Sequence, residues 1–259
     1  MSTGRFTEIT NSFPKVDQPK KIKIPLKPHQ LALIQRCIDL EQSSHKPFRF
    51  EKDGSHYEIS SKFGVIGDSV GSGKTLSILG LISNHTLKSK PIPYHSSDYG
   101  LMTYSKYTPH TPEISNNNII VVPHTIFKQW CETLDKYTDI LYLPINTKKT
   151  LNRFNTIFED EELSKEYRDC VVLVSSTKFN SFISIDVKYW SCTQRHNRFI
   201  FDEADVLKLS YYHDIKAEFI WLVSSSYETL LNPYPKYIWK NENNSIQDTS
   251  NHYNWDFGY

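Results

Sequence analysis

Residues 63–75 read FGVIGDSVGSGKT, and the organisation of the whole chain is best understood from this segment. It begins with a short apolar run, Phe63 to Ile66, and passes through a loop rich in glycine and serine. It ends in Lys74-Thr75, followed by the helix-like LSILGLI. A strand, a glycine loop, Gly-Lys-Thr and a helix, in this order, are typical of a loop that binds nucleotide phosphates. The alternative is an ordinary glycine turn between a strand and a helix.

Each part of such a loop has a chemical reason. Glycine lets backbone N–H groups turn toward phosphate oxygens, and the N-terminus of the next helix adds the positive end of its dipole. Lys74 is predicted to reach the β- and γ-phosphates, and the Thr75 hydroxyl to bind Mg²⁺. The usual pattern has glycine at the first loop position, where this chain has Asp68. The predicted nucleotide-binding loop comprises Asp68, Ser69, Val70, Gly71, Ser72, Gly73, Lys74 and Thr75.

The composition is that of a globular protein with one core. The chain has 259 residues, of which 38% are hydrophobic and 23% charged, and this size is enough to bury a single core. No apolar run approaches the roughly 18 residues that a membrane span requires, and MSTGRFTEIT at the N-terminus has no apolar stretch typical of a secretory signal. The net charge of +1 neither demands nor excludes nucleic acid, because binding depends on a local patch.

The four cysteines, at positions 37, 131, 170 and 192, have no C-x-x-C spacing, so we expect no zinc site. They are typical of reduced thiols in an intracellular protein of the cytoplasm or nucleus.

Three regions are predicted along the chain. Residues 1–20 are polar and irregular and are expected to form a flexible basic arm. Residues 1–30 carry six basic side chains against two acidic ones, which favours a solvated arm over a phosphate-binding one. Residues 21–231 form the folded domain, with a surface insertion at 85–117 that has four prolines and no apolar period. Residues 232–259 are a polar and aromatic tail.

Apolar runs alternate with helical patterns, which predicts an α/β fold with a mainly parallel sheet. Strands are expected at 119–122, 140–145, 171–174, 198–205 and 219–223, and a hairpin at 48–59 around Asp53-Gly54. Helices are expected at 26–42, after Pro123 and around Leu151. Polar residues follow the strands, and the carboxyl ends of parallel strands line the ligand crevice.

Asp202 and Glu203 come at the end of the apolar strand RFIF. An aspartate there can hold Mg²⁺ beside a phosphate loop, and the adjacent glutamate can polarise the water that attacks the γ-phosphate. The alternative is an acidic pair placed to interact with a helix dipole.

Several segments, in the same order and spacing, resemble the first motor lobe of superfamily-two helicases and translocases, most closely the Swi/Snf-type branch. Where that branch has L-R-P-x-Q, this chain has LKPHQ at 26–30. The branch's loop A-D-E-M-G-x-G-K-T matches GDSVGSGKT at 67–75 and accounts for Asp68. Its V-V-x-P-x-x-L-x-x-Q-W matches VVPHTIFKQW at 121–130, and its D-E-A-D or D-E-A-H motif matches 202–205. Compact, divergent relatives of this kind occur in large DNA viruses, which makes a viral origin one expectation, with a viral factory or virion as its location.

The resemblance implies a RecA-like, three-layer α/β/α lobe that uses ATP and Mg²⁺. Gln30 would contact adenine, Asp202 would position the metal, and Glu203 would activate water. The family touches the backbone of DNA or RNA, without sequence preference, at positions that correspond here to Pro123, His124, Thr125, Ser176, Thr177 and Lys178.

Two departures from the family leave alternatives open. The family's coupling motif, roughly L-T-G-T-P, corresponds to Val223-Ser224-Ser225-Ser226-Tyr227, which keeps hydroxyls but loses glycine and proline. The 28 residues after Leu231 contain no arginine and are too few for the family's second RecA-like lobe. We expect that lobe either on another chain or lost by truncation. The first hypothesis is therefore an ATP-dependent helicase or translocase lobe, weakly active alone. The second is a relic lobe that binds nucleotide, nucleic acid or a protein without turnover. A third, an unrelated P-loop enzyme such as a kinase, leaves LKPHQ and VVPHTIFKQW unexplained.

Overall fold

The computed structural model of the chain describes residues 9–10, 12–43, 48–52, 55–87, 95–99, 102–106, 113–114, 117–167, 169–189, 194–207, 209 and 215–231. In chain order the elements are α1 (Pro28–Ser43), β1 (Phe48–Lys52), β2 (Ser55–Ser61), β3 (Phe63–Gly67), α2 (Lys74–Asn84), β4 (His95–Tyr99), β5 (Met102–Lys106), β6 (Glu113–Ile114), β7 (Asn118–Val122), α3 (Phe127–Tyr137), β8 (Tyr142–Ile145), α4 (Lys148–Glu159), α5 (Glu161–Glu166), β9 (Val171–Ser175), α6 (Phe179–Tyr189), β10 (Gln194–Asp202), β11 (Ala217–Ser224) and α7 (Tyr227–Leu231). Short 3-10 turns follow β7 at His124–Ile126 and β9 at Ser176–Lys178.

The central sheet has the strand order β3-β11-β10-β7-β9-β8, and every neighbouring pair in it is parallel. The two-residue strand β6 also pairs with β10 in parallel. Parallel neighbours need long crossovers, and the neighbours β8 and β9 are joined through α4 and α5. This topology confirms the predicted α/β class with a mainly parallel sheet.

Alternate residues of the central strands face two separate apolar clusters. In β7, Ile120 and Val122 belong to the first cluster, which also contains residues of α1, α2 and α3. Ile119 and Val121 belong to the second, which contains residues of α4 and α6. The sheet is therefore covered on both faces, and the predicted three-layer α/β/α arrangement is confirmed.

A second, antiparallel sheet has the order β1-β2-β5-β4. The predicted hairpin is confirmed, since Phe48 pairs with Ile59 and Lys52 with Ser55, while its Asp53-Gly54 turn lies outside the described residues. The segment 85–117, which has no apolar period, nevertheless contributes β4 and β5 to this sheet. Backbone pairing on both sides of β5 requires no alternation of apolar residues, so periodicity did not reveal these strands. The tail at 232–259 lies outside the described residues.

The chain before α1 makes a few hydrogen bonds to the folded domain. The side-chain amide of Gln18 bridges two backbone groups that follow it in the chain. Its Nε2 donates to the Ile24 carbonyl at 2.9 Å, and its Oε1 accepts from the Leu26 N–H at 2.9 Å. The Val16 N–H donates to the Leu31 carbonyl of α1 at 3.4 Å, and Pro19 is buried. One polar side chain thus satisfies two backbone groups of this bend, and the flexible basic arm expected at 1–20 stays a prediction. Residues 1–8 and 11 lie outside the described residues.

An ion pair buried in the core fixes the C-terminal end of α1. Arg198 of β10 donates from Nε and Nη2 to the two carboxylate oxygens of Glu41, at 2.6 and 2.7 Å, and the Trp221 indole donates to the same carboxylate at 2.8 Å. Both charged side chains are 0% exposed. Burial raises the pKa of Glu41, but the charge and hydrogen bonds of Arg198, with hydrogen bonds from His85 and Trp221, outweigh it and hold the pKa below its ordinary value.

Glu41→Ala is expected to lower the free energy of unfolding by about 3–5 kcal/mol, because Arg198 would stay buried without a counter-charge. Because the folded pKa is lowered, the stabilisation from Glu41 is present above the ordinary pKa of 4.5 and is lost as pH falls through the folded value. Urea denaturation of each variant measures the change.

The matched control for this prediction is the double variant Glu41→Leu with Arg198→Met. It removes both charges and is expected to recover most of the loss. A double variant as unstable as Glu41→Ala would contradict the assignment of the loss to an uncompensated charge.

Within the described residues, no helix has the length and apolar character needed to cross a membrane.

Candidate functional site

The candidate site lies at the carboxyl ends of three neighbouring strands. β3 ends at Gly67, β11 at Ser224 and β10 at Asp202. In the sheet Ser224 pairs with Gly67, and Asp202 pairs with Val223 of β11. The phosphate loop, the end of β11 and the acidic motif are therefore brought to one edge of the sheet, as the sequence predicted.

The phosphate loop has the backbone conformation that its glycines allow. Gly71 and Gly73 have φ of 80° and 88°, in the left-handed region that favours glycine. A Cβ atom on Gly73 would lie 2.4 Å from Nε2 of Gln30. The Asp68 carboxylate accepts from the Ser69 N–H at 2.8 Å, and Val70 at the loop tip is 84% exposed. The loop is thus open to solvent at its tip and tightly packed where it joins α2.

Lys74 opens α2 and turns back into the loop. Its Nζ donates to the carbonyls of Asp68 and Ser69, both at 2.8 Å. Thr75 follows in the first turn of α2 and is half-buried. The predicted cation and hydroxyl therefore stand together at the N-terminus of the helix, where its dipole favours an anion.

The N-terminus of α1 packs against the phosphate loop. Gln30 is 5% exposed, accepts from the Lys27 N–H at 2.8 Å and donates to the Gly73 carbonyl at 3.1 Å. His29 donates from Nε2 to the Ser72 carbonyl at 3.0 Å. The side-chain amide of Gln30 therefore holds the loop at Gly73 through a hydrogen bond. Its contact with adenine stays a prediction. Sequence reasoning missed His29, because an exposed histidine at a helix start carries no periodic signal.

The acidic motif begins with a buried carboxylate. Asp202 is 5% exposed, and its Oδ2 accepts from the indole N–H of Trp130 at 2.8 Å. Burial raises the pKa of Asp202 above its ordinary value, and the charge of Asp205 adds to the rise. Hydrogen bonding by Trp130 and the Glu203 N–H, together with the charge of Lys74, opposes the rise without cancelling it. Sequence reasoning placed Trp130 on the buried face of α3 and missed its contact with Asp202, because periodicity does not show which acceptor an indole reaches.

Glu203 occupies an unusual backbone conformation. Its φ is 49°, the one positive value among the described non-glycine residues, and such backbone strain is concentrated at functional sites. Burial raises the pKa of the Glu203 carboxyl, the charges of Asp202 and Asp205 raise it further, and Lys74 opposes them. The carboxylates and the ammonium therefore act on one another electrostatically.

The end of β11 is connected to the acidic motif through the hydroxyl group of Ser224. Ser224 is fully buried and donates from Oγ to the Asp205 carboxylate, while accepting from the Ser226 N–H at 2.8 Å. The Asp68 N–H of the phosphate loop donates to the Ser224 carbonyl at 3.4 Å. The segment that replaces L-T-G-T-P therefore still joins the phosphate loop to the acidic motif.

The residues predicted to touch nucleic acid lie at the ends of β7 and β9, which are neighbours in the sheet. The His124 ring is within 3.2 Å of Ser175 Oγ, which lies 3.1 Å from Thr177 Oγ1. His124, Thr125 and Thr177 are exposed, and Pro123, Ser176 and Lys178 are partly buried. The two predicted segments are thus brought together by hydrogen bonds and lie at the same edge of the sheet as the phosphate loop.

The side chains present fit a nucleotide phosphate with Mg²⁺. Within the described residues, Ser72 Oγ is buried and has no hydrogen-bond partner, so the loop holds a polar atom that a ligand oxygen could satisfy. Thr75 and Asp202 supply the hard oxygen ligands that Mg²⁺ prefers, and Mg²⁺ at phosphate sites takes one or two carboxylates rather than a protein cage. The described part of the chain shows no group of three or more His, Cys, Asp or Glu that could hold a metal.

Comparison with known proteins gives three findings. The chain is 30% identical over 169 residues to the protein named "Putative helicase R592" of Acanthamoeba polyphaga mimivirus, an alignment that covers 58% of this chain and 20% of that protein. The chain thus spans about a fifth of that relative's length. Among solved structures, the Sulfolobus solfataricus SWI2/SNF2 ATPase core in complex with dsDNA aligns with a TM-score of 0.45 and 14% identity, over 83% of this chain and 34% of that one.

The third finding is a match to the family model described as the SNF2-related domain. It covers residues 29–222, which is well over half of the chain and extends from the start of α1 to β11. The phosphate loop, the segment after β7 and the acidic motif all lie inside the match, which confirms the resemblance inferred from them. The chain belongs to the family of SNF2-related domains.

Proposed function

We propose that this chain is the ATP-binding lobe of a helicase-like motor, which couples ATP binding and hydrolysis to binding of, or movement along, DNA or RNA. The observation that carries the proposal is that Lys74, Thr75, Asp202 and Glu203 come together at one edge of the parallel sheet. Lys74 acts electrostatically on both carboxylates. Such a group of residues serves phosphoryl transfer, in which catalysis is mainly positioning and charge stabilisation.

Each side chain has a defined part in this proposal. The loop N–H groups and Lys74 would bind the phosphates, and Thr75 and Asp202 would hold Mg²⁺. The metal would neutralise charge on the phosphate oxygens. Glu203 orients the attacking water and takes its proton.

The exposed ends of β7 and β9 are the proposed contact with nucleic acid. Thr125, Thr177 and Lys178 offer two hydroxyls and a cation, which suit phosphate oxygens and carry no sequence information. Ser224 and Asp205 would carry structural change between the phosphate loop and the acidic motif, because they hydrogen-bond directly.

A second RecA-like lobe, on another polypeptide or elsewhere, is proposed to complete the reaction. The second candidate function is a lobe that binds ligands without turnover. Val223-Ser224-Ser225-Ser226-Tyr227 favours it, because glycine and proline of the family's coupling motif are replaced there.

The proposed ATP binding is tested by ligand stabilisation of the 259-residue chain. One-site binding of Mg·ATP, at about 100 times its dissociation constant, should raise the free energy of unfolding by about 2.7 kcal/mol. Sodium sulfate at equal ionic strength is the control for nonspecific anion effects. Equal stabilisation by sulfate and Mg·ATP would overturn the proposed nucleotide site.

The nucleic-acid contact yields a separate prediction. Short DNA and RNA strands, single and double, should bind weakly without sequence preference, and binding should weaken steeply with salt. Lys178→Ala should reduce the slope of log affinity against log salt by about 1. Fluorescence anisotropy at several salt concentrations measures it.

The matched control for Lys178 is Lys165→Ala on α5, an exposed lysine paired with Glu162, which should leave the slope unchanged. Failure of every strand to bind at low salt would count against a motor lobe.

A further inference from the structure

The indole of Trp130 forms a direct hydrogen bond to the carboxylate proposed to hold the metal. Its Nε1–H donates to Asp202 Oδ2 at 2.8 Å, and the two residues are 2% and 5% exposed. An indole N–H can only donate, so this contact ties the Oδ2 oxygen of Asp202 to a fixed donor. An unpaired carboxylate at this depth would be costly.

The fold fixes the direction of this indole. Trp130 lies in the first turn of α3, which begins at Phe127 directly after β7 and its 3-10 turn. β7 pairs with β10, with Val121 beside Phe201, so the start of α3 lies close to the end of the strand that carries Asp202. The ring is packed in the first apolar cluster with Ile126 and Phe127, which leaves its N–H little freedom to move.

Trp130 therefore limits the rotation of the Asp202 carboxylate. Rotation would break the 2.8 Å hydrogen bond from the indole to Oδ2. Partners behind a metal-binding side chain orient that side chain and affect metal affinity. Trp130 stands six residues after His124, so the donor to Asp202 lies on the helix that directly follows the turn proposed to contact nucleic acid.

We propose that Trp130 is a positioning residue for the proposed ATPase reaction, whose indole N–H orients the Asp202 carboxylate toward Mg²⁺. This inference rests on the proposed function of the site.

A purely structural role is the competing explanation, since a buried tryptophan needs an acceptor for its N–H. The chain contains a matched example in Trp221, which is also 2% exposed and donates to buried Glu41 Oε1 at 2.8 Å. That contact lies at the end of α1 remote from the phosphate loop. The two tryptophans therefore have the same burial, the same kind of acceptor and the same hydrogen-bond distance, and only one of them contacts the proposed metal ligand.

The test compares Trp130→Phe with Trp221→Phe in the full chain. A fluorescent ATP analogue is titrated at increasing Mg²⁺ and separately in EDTA, so that binding rather than turnover is measured. Trp130→Phe should raise the Mg²⁺ concentration at half-saturation by about tenfold, with unchanged analogue affinity in EDTA. Trp221→Phe should leave both values unchanged, although it lowers stability.

Two results would overturn the inference, and each is distinct from failure of the proposed function. An unchanged Mg²⁺ midpoint in Trp130→Phe would refute it while the wild type still bound Mg²⁺ and analogue. An equal shift in Trp221→Phe would reduce it to a general effect of stability. If the wild type itself failed to bind the analogue, the proposed function would fail.

A second measurement does not depend on the folding of Trp130→Phe. Indole N–H resonances of the ¹⁵N-labelled wild type are followed while Mg²⁺ is added to the protein saturated with the analogue, and Trp221→Phe identifies the Trp221 signal. Asp202→Asn identifies the Trp130 signal, since it changes that acceptor. The Trp130 resonance should shift on metal addition while that of Trp221 does not, and a Trp130 resonance that does not respond would overturn the inference.

Discussion

Lys74→Ala is expected to weaken binding of Mg·ATP by about 100-fold. The substitution removes a charge-assisted hydrogen bond to phosphate, worth about 1.5–3 kcal/mol, and the cation that acts on Asp202 and Glu203. Two carboxylates would then face the phosphates without that compensation. Titration of a fluorescent ATP analogue into wild type and variant measures the loss.

The unfolding midpoint of Lys74→Ala shows whether lost binding is caused by lost folding. Nζ of Lys74 binds two carbonyls of a partly exposed loop, so the variant should unfold close to the wild-type midpoint. Thr75→Val, which removes a hydroxyl and keeps the shape, should weaken binding only when Mg²⁺ is present. Equal affinity of wild type and Lys74→Ala for the analogue would refute the assignment of 67–75 as a phosphate loop.

Local motifs made much of this site predictable. The phosphate loop needs glycine, lysine and threonine at fixed separations, because one turn of backbone and one helix start must meet the same phosphate. The position of the acidic motif followed from another local rule, that a buried parallel strand ends at the ligand edge of the sheet. In the structure Ser224 pairs with Gly67 and Asp202 with Val223, which brings these ends together.

Contacts between distant side chains could not be predicted in the same way. The Trp130–Asp202 bond joins residues 72 positions apart, and the Arg198–Glu41 pair joins residues 157 apart. Helical spacing shows that Trp130 and Glu41 face inward, but it is silent about which donor and acceptor meet there. Such pairs depend on the register of the sheet and on how the helices pack against it, both of which are set by the whole chain.

Hydrogen bonds also order parts of the chain that have no hydrophobic period. Residues 12–20 look irregular because they have neither helical nor strand period, yet Gln18 supplies the hydrogen bonds that a bend lacks. Strands β4 and β5 were missed for a related reason, since their antiparallel pairing is made by the backbone. In both places order comes from hydrogen bonds that hydrophobic periodicity does not report.

Turnover is expected to need more than this 259-residue chain supplies. Burial raises the pKa of both Asp202 and Glu203, and the charge of Lys74 opposes that rise. Arg153, by contrast, binds the Tyr167 hydroxyl, and Arg198 binds Glu41. Charge that develops on the transferring phosphoryl group would lack part of its stabilisation. The chain tested by itself should therefore bind ATP far better than it hydrolyses it.

Adding a second RecA-like lobe that carries the family's arginine-bearing final motif should raise hydrolysis by about 10³–10⁵-fold, the effect of supplied arginines in related sites. Glu203→Gln should abolish this gain and leave ATP binding nearly intact, because the carboxylate acts on water in the transition state rather than on the bound nucleotide. Glu166→Gln, on exposed α5, is the matched control and should retain the gain. Release of inorganic phosphate, measured with and without nucleic acid, gives the rates.

Rapid nucleic-acid-stimulated hydrolysis by the 259-residue chain alone, unaffected by Glu203→Gln, would contradict this prediction. It would show that both the proposed role of Glu203 and the proposed need for a second lobe are wrong.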